Sequence, residues 1–137
     1  MVSRRDVVFG GIAVATFPVF ADVVGARSPA GETLGRPALS LYKVVFDERF
    51  PSSVDFGREA LARGFAVHAI RGDMTDLWYY DLYPKWKTGP AAIAGLTAHG
   101  PLFCLERLSW DFGMRVSFRE RRPGDLYSWV IAPGRRA

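Results

Sequence analysis

From Leu41 onward, apolar residues fall in short blocks, and the spacing within each block decides what it predicts. LYKVVF, residues 41–46, is a β-branched and aromatic run and predicts a strand. Pro51-Ser52-Ser53 opens a predicted helix that runs to about Arg63. Val54, Phe56, Ala60 and Leu61 give it an apolar face, Ser52 with Asp55 forms a shortened capping box, and Gly64 stands at the C-terminal stop. FAVHAI, residues 65–70, predicts a second strand, closed by Arg71-Gly72-Asp73. Residues 75–86 interleave Asp76 and Asp81 with aromatic side chains and read as two helical turns broken at Pro84. AAIAGL, residues 91–96, is apolar enough for a strand buried on both faces. Leu102, Leu105, Leu108 and Phe112 keep helical spacing through residues 100–112, and Gly113 follows. Residues 114–118 predict a fourth strand, 121–125 a loop, and 127–132 a fifth strand expected at a sheet edge.

This alternation predicts an α/β domain over residues 41–137. Its expected form is a small open, mostly parallel sheet with helices on both faces, a Rossmann-like or flavodoxin-like three-layer sandwich. Residues 27–40, with Pro29, Pro37 and several small residues, read as a linker. A chain of 137 residues, 49% hydrophobic and 23% charged, has room for one domain and excludes disorder, collagen-like repeats and a coiled coil. The net charge of +4 is scattered, which argues against a nucleic-acid partner. One cysteine excludes an internal disulfide framework and a Cys-rich zinc site.

The N-terminus adds an address. Ser3-Arg4-Arg5-Asp6-Val7-Val8 leads into an uncharged apolar run, residues 7–21, that holds Gly10, Gly11 and Pro18. Val24-Gly25-Ala26 then supplies small or aliphatic residues suited to a signal peptidase. These residues resemble a twin-arginine translocation signal over residues 1–26. The resemblance implies passage of a folded protein through the Tat translocase to the periplasm. Such cargo loads a cofactor before export, or travels with a partner that does. The apolar run is too short and glycine-rich for a stable transmembrane helix, which needs roughly 20 apolar residues.

In a parallel sheet, ligands bind beyond the carboxyl ends of the strands. Asp47, Glu48 and Arg49 follow the first predicted strand, Arg71 and Asp73 the second, Thr97 and His99 the third, and Arg119 and Glu120 the fourth. The catalytic candidates there are His99 as acid–base group, with Thr97, Asp73 and Asp47. Thr97, His99 and Gly100, joined by Arg71 as a clamp, are the candidate ligand-binding set, since backbone N–H groups at a helix start can approach an anion. The plainer alternative is that Thr97 or His99 caps the helix and Gly100 permits a tight turn. No dinucleotide fingerprint, P-loop or nucleophile elbow is present, so the sequence names no cofactor. A flavodoxin-like FMN site would need a glycine-rich cradle that the loop at Ser52 and Ser53 lacks. His68 and His99 lack zinc-site spacing, and no metal site is expected. His68 reads as a core or edge histidine, and Cys104, beside Leu105 and Leu108, as a small buried hydrophobe.

The segment from Trp78 to Trp86 holds Trp78, Tyr79, Tyr80, Tyr83 and Trp86, too many rings for one narrow core. Packing accounts for some of them. Others suit a stacking platform or a protein-docking surface, with Trp78, Tyr79, Tyr83 and Trp86 as the partner-binding set. Two functions from different classes follow. One is an exported accessory or binding module that docks on a periplasmic partner, a redox protein among the candidates. The other is a small periplasmic enzyme or ligand-binding domain acting on an anionic small molecule at the carboxyl edge.

Overall fold

The computed structural model describes residues 40–134, so the signal and nearly all of the linker lie outside the described residues. Strands β1 (Leu41–Asp47), β2 (Val67–Ile70), β3 (Ala92–Thr97), β4 (Met114–Arg122) and β5 (Leu126–Pro133) form one sheet in the order β2-β1-β3-β5-β4. β1 is parallel to β2 and to β3, whereas β5 is antiparallel to β3 and to β4. The α/β class holds, but the sheet is mixed rather than mostly parallel. The local cause is the turn at residues 123–125. Gly124 and Asp125 take φ of 82° and 63° and send the chain straight back, which makes β4 and β5 a hairpin.

β5 is also an interior strand, not the expected edge. Ser128, Trp129, Val130 and Ile131 are buried in succession, as a strand covered on both faces requires. The edges are β2 and β4.

Helix α1 spans Pro51–Ala62. Pro51 supplies its first turn, where a missing N–H costs nothing. Phe50 is the N-cap and no side chain caps the helix, so the box expected from Ser52 and Asp55 does not form. Between β2 and β3 the chain makes the short α2 (Thr75–Leu77), a π-helical turn (Trp78–Leu82) and α3 (Tyr83–Thr88). Pro84 does not break this segment, because it falls in the first turn of α3. Helix α4 (His99–Ser109) continues into a 3₁₀ turn (Trp110–Phe112) and ends at left-handed Gly113.

Alternating strand residues feed two cores. One joins Val45, Ile93, Trp129 and Ile131 to Leu77, Leu82, Trp86, Leu102 and Leu105, from the α2–α3 segment and α4. The other joins Val44, Ala94, Leu96 and Val130 to Phe56 and Ala60 of α1. Each large side chain buried this way contributes about 1.5–3 kcal/mol. The close approach of β5 to β3 needs Gly95, where any Cβ would collide with the Trp129 indole.

Candidate functional site

The carboxyl edge is held together by its own polar groups. The Ser53 hydroxyl donates to the Leu96 carbonyl at 2.5 Å and accepts the Asp47 N–H at 2.8 Å, which ties α1 to β1 and β3. The buried Asp47 carboxylate accepts Nε of Arg49 at 3.0 Å and Nη2 at 2.9 Å. The same guanidinium closes over Gly72 at φ +85°, where an added Cβ would sit 2.6 Å from its Cζ. Thr97 is fully buried; its hydroxyl donates to the Ala98 carbonyl at 2.9 Å and accepts Nε1–H of Trp129 at 3.0 Å.

The other candidates of this edge lie on the surface. Neither Thr97 nor His99 caps α4, whose N-cap is Ala98 without a side-chain bond. His99 is exposed and stacks on Phe103 at 5.9 Å, with Tyr127 edge-on at 5.7 Å. Gly100 is exposed, and nothing would meet a Cβ there. Arg71 reaches Glu48 at 3.3 Å in an exposed pair. Asp73 accepts the Thr75 hydroxyl at 2.6 Å and its N–H at 2.9 Å, and these bonds hold its carboxyl below the usual range. Among the described residues, no group of three or more His, Cys, Asp or Glu side chains could hold a metal ion.

A second polar cluster lies at the β2 side of the sheet. The register of β1 shifts between Leu41 and Lys43, an irregularity that lets consecutive side chains reach one carboxylate. Tyr42 donates to Oδ1 of Asp81 at 2.5 Å, and Nζ of Lys43 lies 2.8 Å from Oδ2. Burial pushes the Asp81 carboxyl up. The hydrogen bonds from Lys43 and Tyr42, with the charges of Lys43 and His68, outweigh it and leave Asp81 below its ordinary value. The Tyr42 phenol is pushed up to about 12 by that hydrogen bond, then by burial and the Asp81 charge. The phenol stays protonated near neutral pH, and its bond to Asp81, with that of Lys43, clasps β1 to the π-helical turn. His68, half-buried on β2, is lowered by burial against the upward pull of Asp81 and Asp76, with Lys43 adding to the lowering.

The aromatic segment divides between core and surface. Trp86 is 1% exposed and donates its indole N–H to the Ala91 carbonyl at 3.0 Å, so of the four residues grouped for docking it belongs to the core. Trp78 is half-buried, its ring 5.5 Å from Tyr83 and 5.9 Å from Phe112. Tyr79 and Tyr80 are 62% and 82% exposed, and Tyr83 stands at their margin. α4 and its 3₁₀ turn expose Phe103 and Trp110. A cavity of about 390 Å³ opens here, walled by Met74, Thr75, Trp78 and Tyr79 from the segment before β3 and by Phe103, Cys104, Arg107 and Leu108 from α4.

Cys104 is exposed, against the expectation of burial. Leu102, Leu105 and Ser109 turn to the sheet, and Cys104 falls on the outer side of α4 with Phe103 and Arg107. The Arg107 guanidinium lies 4.8 Å from the Trp110 ring centroid and 5.7 Å from that of Phe103, in cation–π contact with both. Phe103, Arg107 and Trp110 were absent from the sequence-based candidates. Their spacing of four and then three residues puts them on one helical face, and that second stripe is the signal that could have found them.

No protein-family model, curated protein or solved structure matches the chain. No helix among the described residues is long and apolar enough to cross a membrane.

Proposed function

We propose that the protein is an exported accessory module that docks on a periplasmic partner protein through the aromatic face shared by the π-helical turn and α4. The single observation that carries this reading is a cavity lined by the exposed rings of Tyr79 and Phe103, with Arg107 on its wall in cation–π contact with Phe103 and with exposed Trp110. Trp, Tyr and Arg are the residues that dominate protein-interface energetics. Burial of Trp86 narrows the docking set drawn from the sequence to Trp78, Tyr79 and Tyr83, and α4 extends it. The carboxyl edge, by contrast, spends Asp47, Ser53 and Thr97 on one another's neighbourhoods, which favours the module over a small enzyme acting on an anion there. Export through the Tat translocase, for which the N-terminal resemblance is the support, would deliver the module already folded. We read the helices on the two faces of the sheet as a Rossmann-like or flavodoxin-like layering, and a redox protein is the partner class that suits the export route.

The test is co-purification from the native host. Tyr79→Ala combined with Trp110→Ala should remove a partner that the unchanged protein retains. Leu61→Ala, an equally exposed apolar change on α1 at the opposite face of the sheet, should not. Retention in all three proteins would refute the docking reading.

A further inference from the structure

Arg107 differs from most of the other described surface arginines. Arg49, Arg58, Arg71, Arg119 and Arg121 each meet a carboxylate, at distances from 2.8 to 3.9 Å. Among the described residues, Arg107 meets none. Two rings hold its guanidinium instead, Phe103 one turn before it and Trp110 one turn after. The N–H donors of the guanidinium are taken by no carboxylate among the described residues, and donors of that kind suit a carboxylate ligand. The cavity of about 390 Å³ is lined by Arg107, and its other walls include Trp78, Tyr79 and Phe103. Its volume lies toward the small end of ligand sites, which run from roughly 300 to 1,000 Å³.

Resting on the docking reading above, we infer that the cavity receives a partner's peptide segment in which an apolar side chain is followed by an acidic residue. The apolar side chain fills the space between Trp78 and Phe103, and the carboxylate takes the Arg107 guanidinium. Charge complementarity selects this occupant: among the described residues, the only charged side chain lining the cavity is Arg107, a cation that meets no carboxylate. A second copy of the chain is disfavoured by the same criterion, since Arg107 would approach another net-positive protein.

Cys104 makes the test direct, because it is the single cysteine of the chain, it is exposed, and it lines the cavity. In a thiol–disulfide exchange buffer, its thiolate attacks the disulfide of a cysteine-bearing peptide, forms a mixed disulfide and releases the other thiol. Three acetylated, amidated peptides compete as disulfides: Cys-Gly-Phe-Asp, Cys-Gly-Phe-Asn and Cys-Gly-Gly-Asp. Intact mass gives the occupancy of each. The expected result is a roughly two- to fivefold preference for Phe-Asp over Phe-Asn, the range of a partly exposed ion pair, with a preference for Phe-Asp over Gly-Asp as well. The acid preference should vanish in Arg107→Gln and persist in Arg115→Gln, which removes an exposed charge from β4. Equal occupancy by Phe-Asp and Phe-Asn, or an acid preference that survives Arg107→Gln, would overturn the inference. If that happens while Tyr79→Ala with Trp110→Ala still loses the partner, docking stands and only the peptide chemistry assigned to the cavity falls.

Discussion

Replacing Thr97 by valine separates a structural threonine from a ligand-binding one. The side chain is fully buried, and its hydroxyl accepts the Trp129 indole N–H at 3.0 Å while donating to the Ala98 carbonyl at 2.9 Å. Valine keeps the shape and removes both bonds. The fully buried Trp129 donor is then left unpaired, which costs about 1–3 kcal/mol. Loss of the Ala98 bond adds about 0.5–1.5 kcal/mol, and the extra buried methyl returns about 0.8 kcal/mol. The net expectation is a loss of about 1–4 kcal/mol. Urea unfolding followed by tryptophan fluorescence should show a lower midpoint at constant slope. In a Trp129→Phe background the donor is absent, so Thr97→Val should cost about 1–3 kcal/mol less than in the unchanged protein. Losses within about 0.5 kcal/mol in both backgrounds would refute the bond and return Thr97 to the list of groups available to a ligand.

Ser53→Ala should cost about 1–3 kcal/mol in the same assay, because it leaves the buried Asp47 N–H and Leu96 carbonyl without the hydroxyl that joins them. Acidification should destabilise the protein in two stages. The folded-state pKa of His68 is lowered, so the unfolded chain binds its proton first, and stability present above about pH 6.5 falls as pH drops toward the folded pKa. Asp81 is also lowered, and its contribution is lost below the ordinary carboxylate value of 3.8. His68→Gln should flatten the first stage of a pH series of melts and leave the second; an unchanged first stage would contradict the assignment. Cys104 should react with a thiol reagent in the native protein without denaturant, and protection until unfolding would contradict its exposure.

The pattern of apolar residues reveals elements well and their neighbours poorly. Leu102 and Leu105 point to the sheet as their spacing requires, and Gly64 and Gly113 close their helical segments at positive φ. Strand order is a long-range property, and no local spacing distinguishes β5 at an edge from β5 between β3 and β4. Two residues did hold the information. Gly124 and Asp125 form a turn fit for a hairpin, and the unbroken burial from Ser128 to Ile131 belongs to an interior strand. The candidate site was partly legible for a related reason. Five rings in nine residues announced a surplus of aromatic side chains, but which ring meets water depends on the π-helical turn. That turn changes the angular step between Trp78 and Leu82 and carries Trp86 into the core. Asp47 and Thr97 did converge on the carboxyl edge, and the same convergence let neighbouring groups satisfy them.

Site-specific photo-crosslinking tests the docking claim most directly. A photoreactive residue at Tyr79, 62% exposed on the cavity wall, should give one discrete adduct with a partner protein in cells of the native host, and Trp110→Ala should remove it. The same residue at Leu61, 61% exposed on α1, should give no such adduct. Equal adducts from both positions, or an adduct from Leu61 alone, would contradict the assignment of the aromatic face as the docking surface.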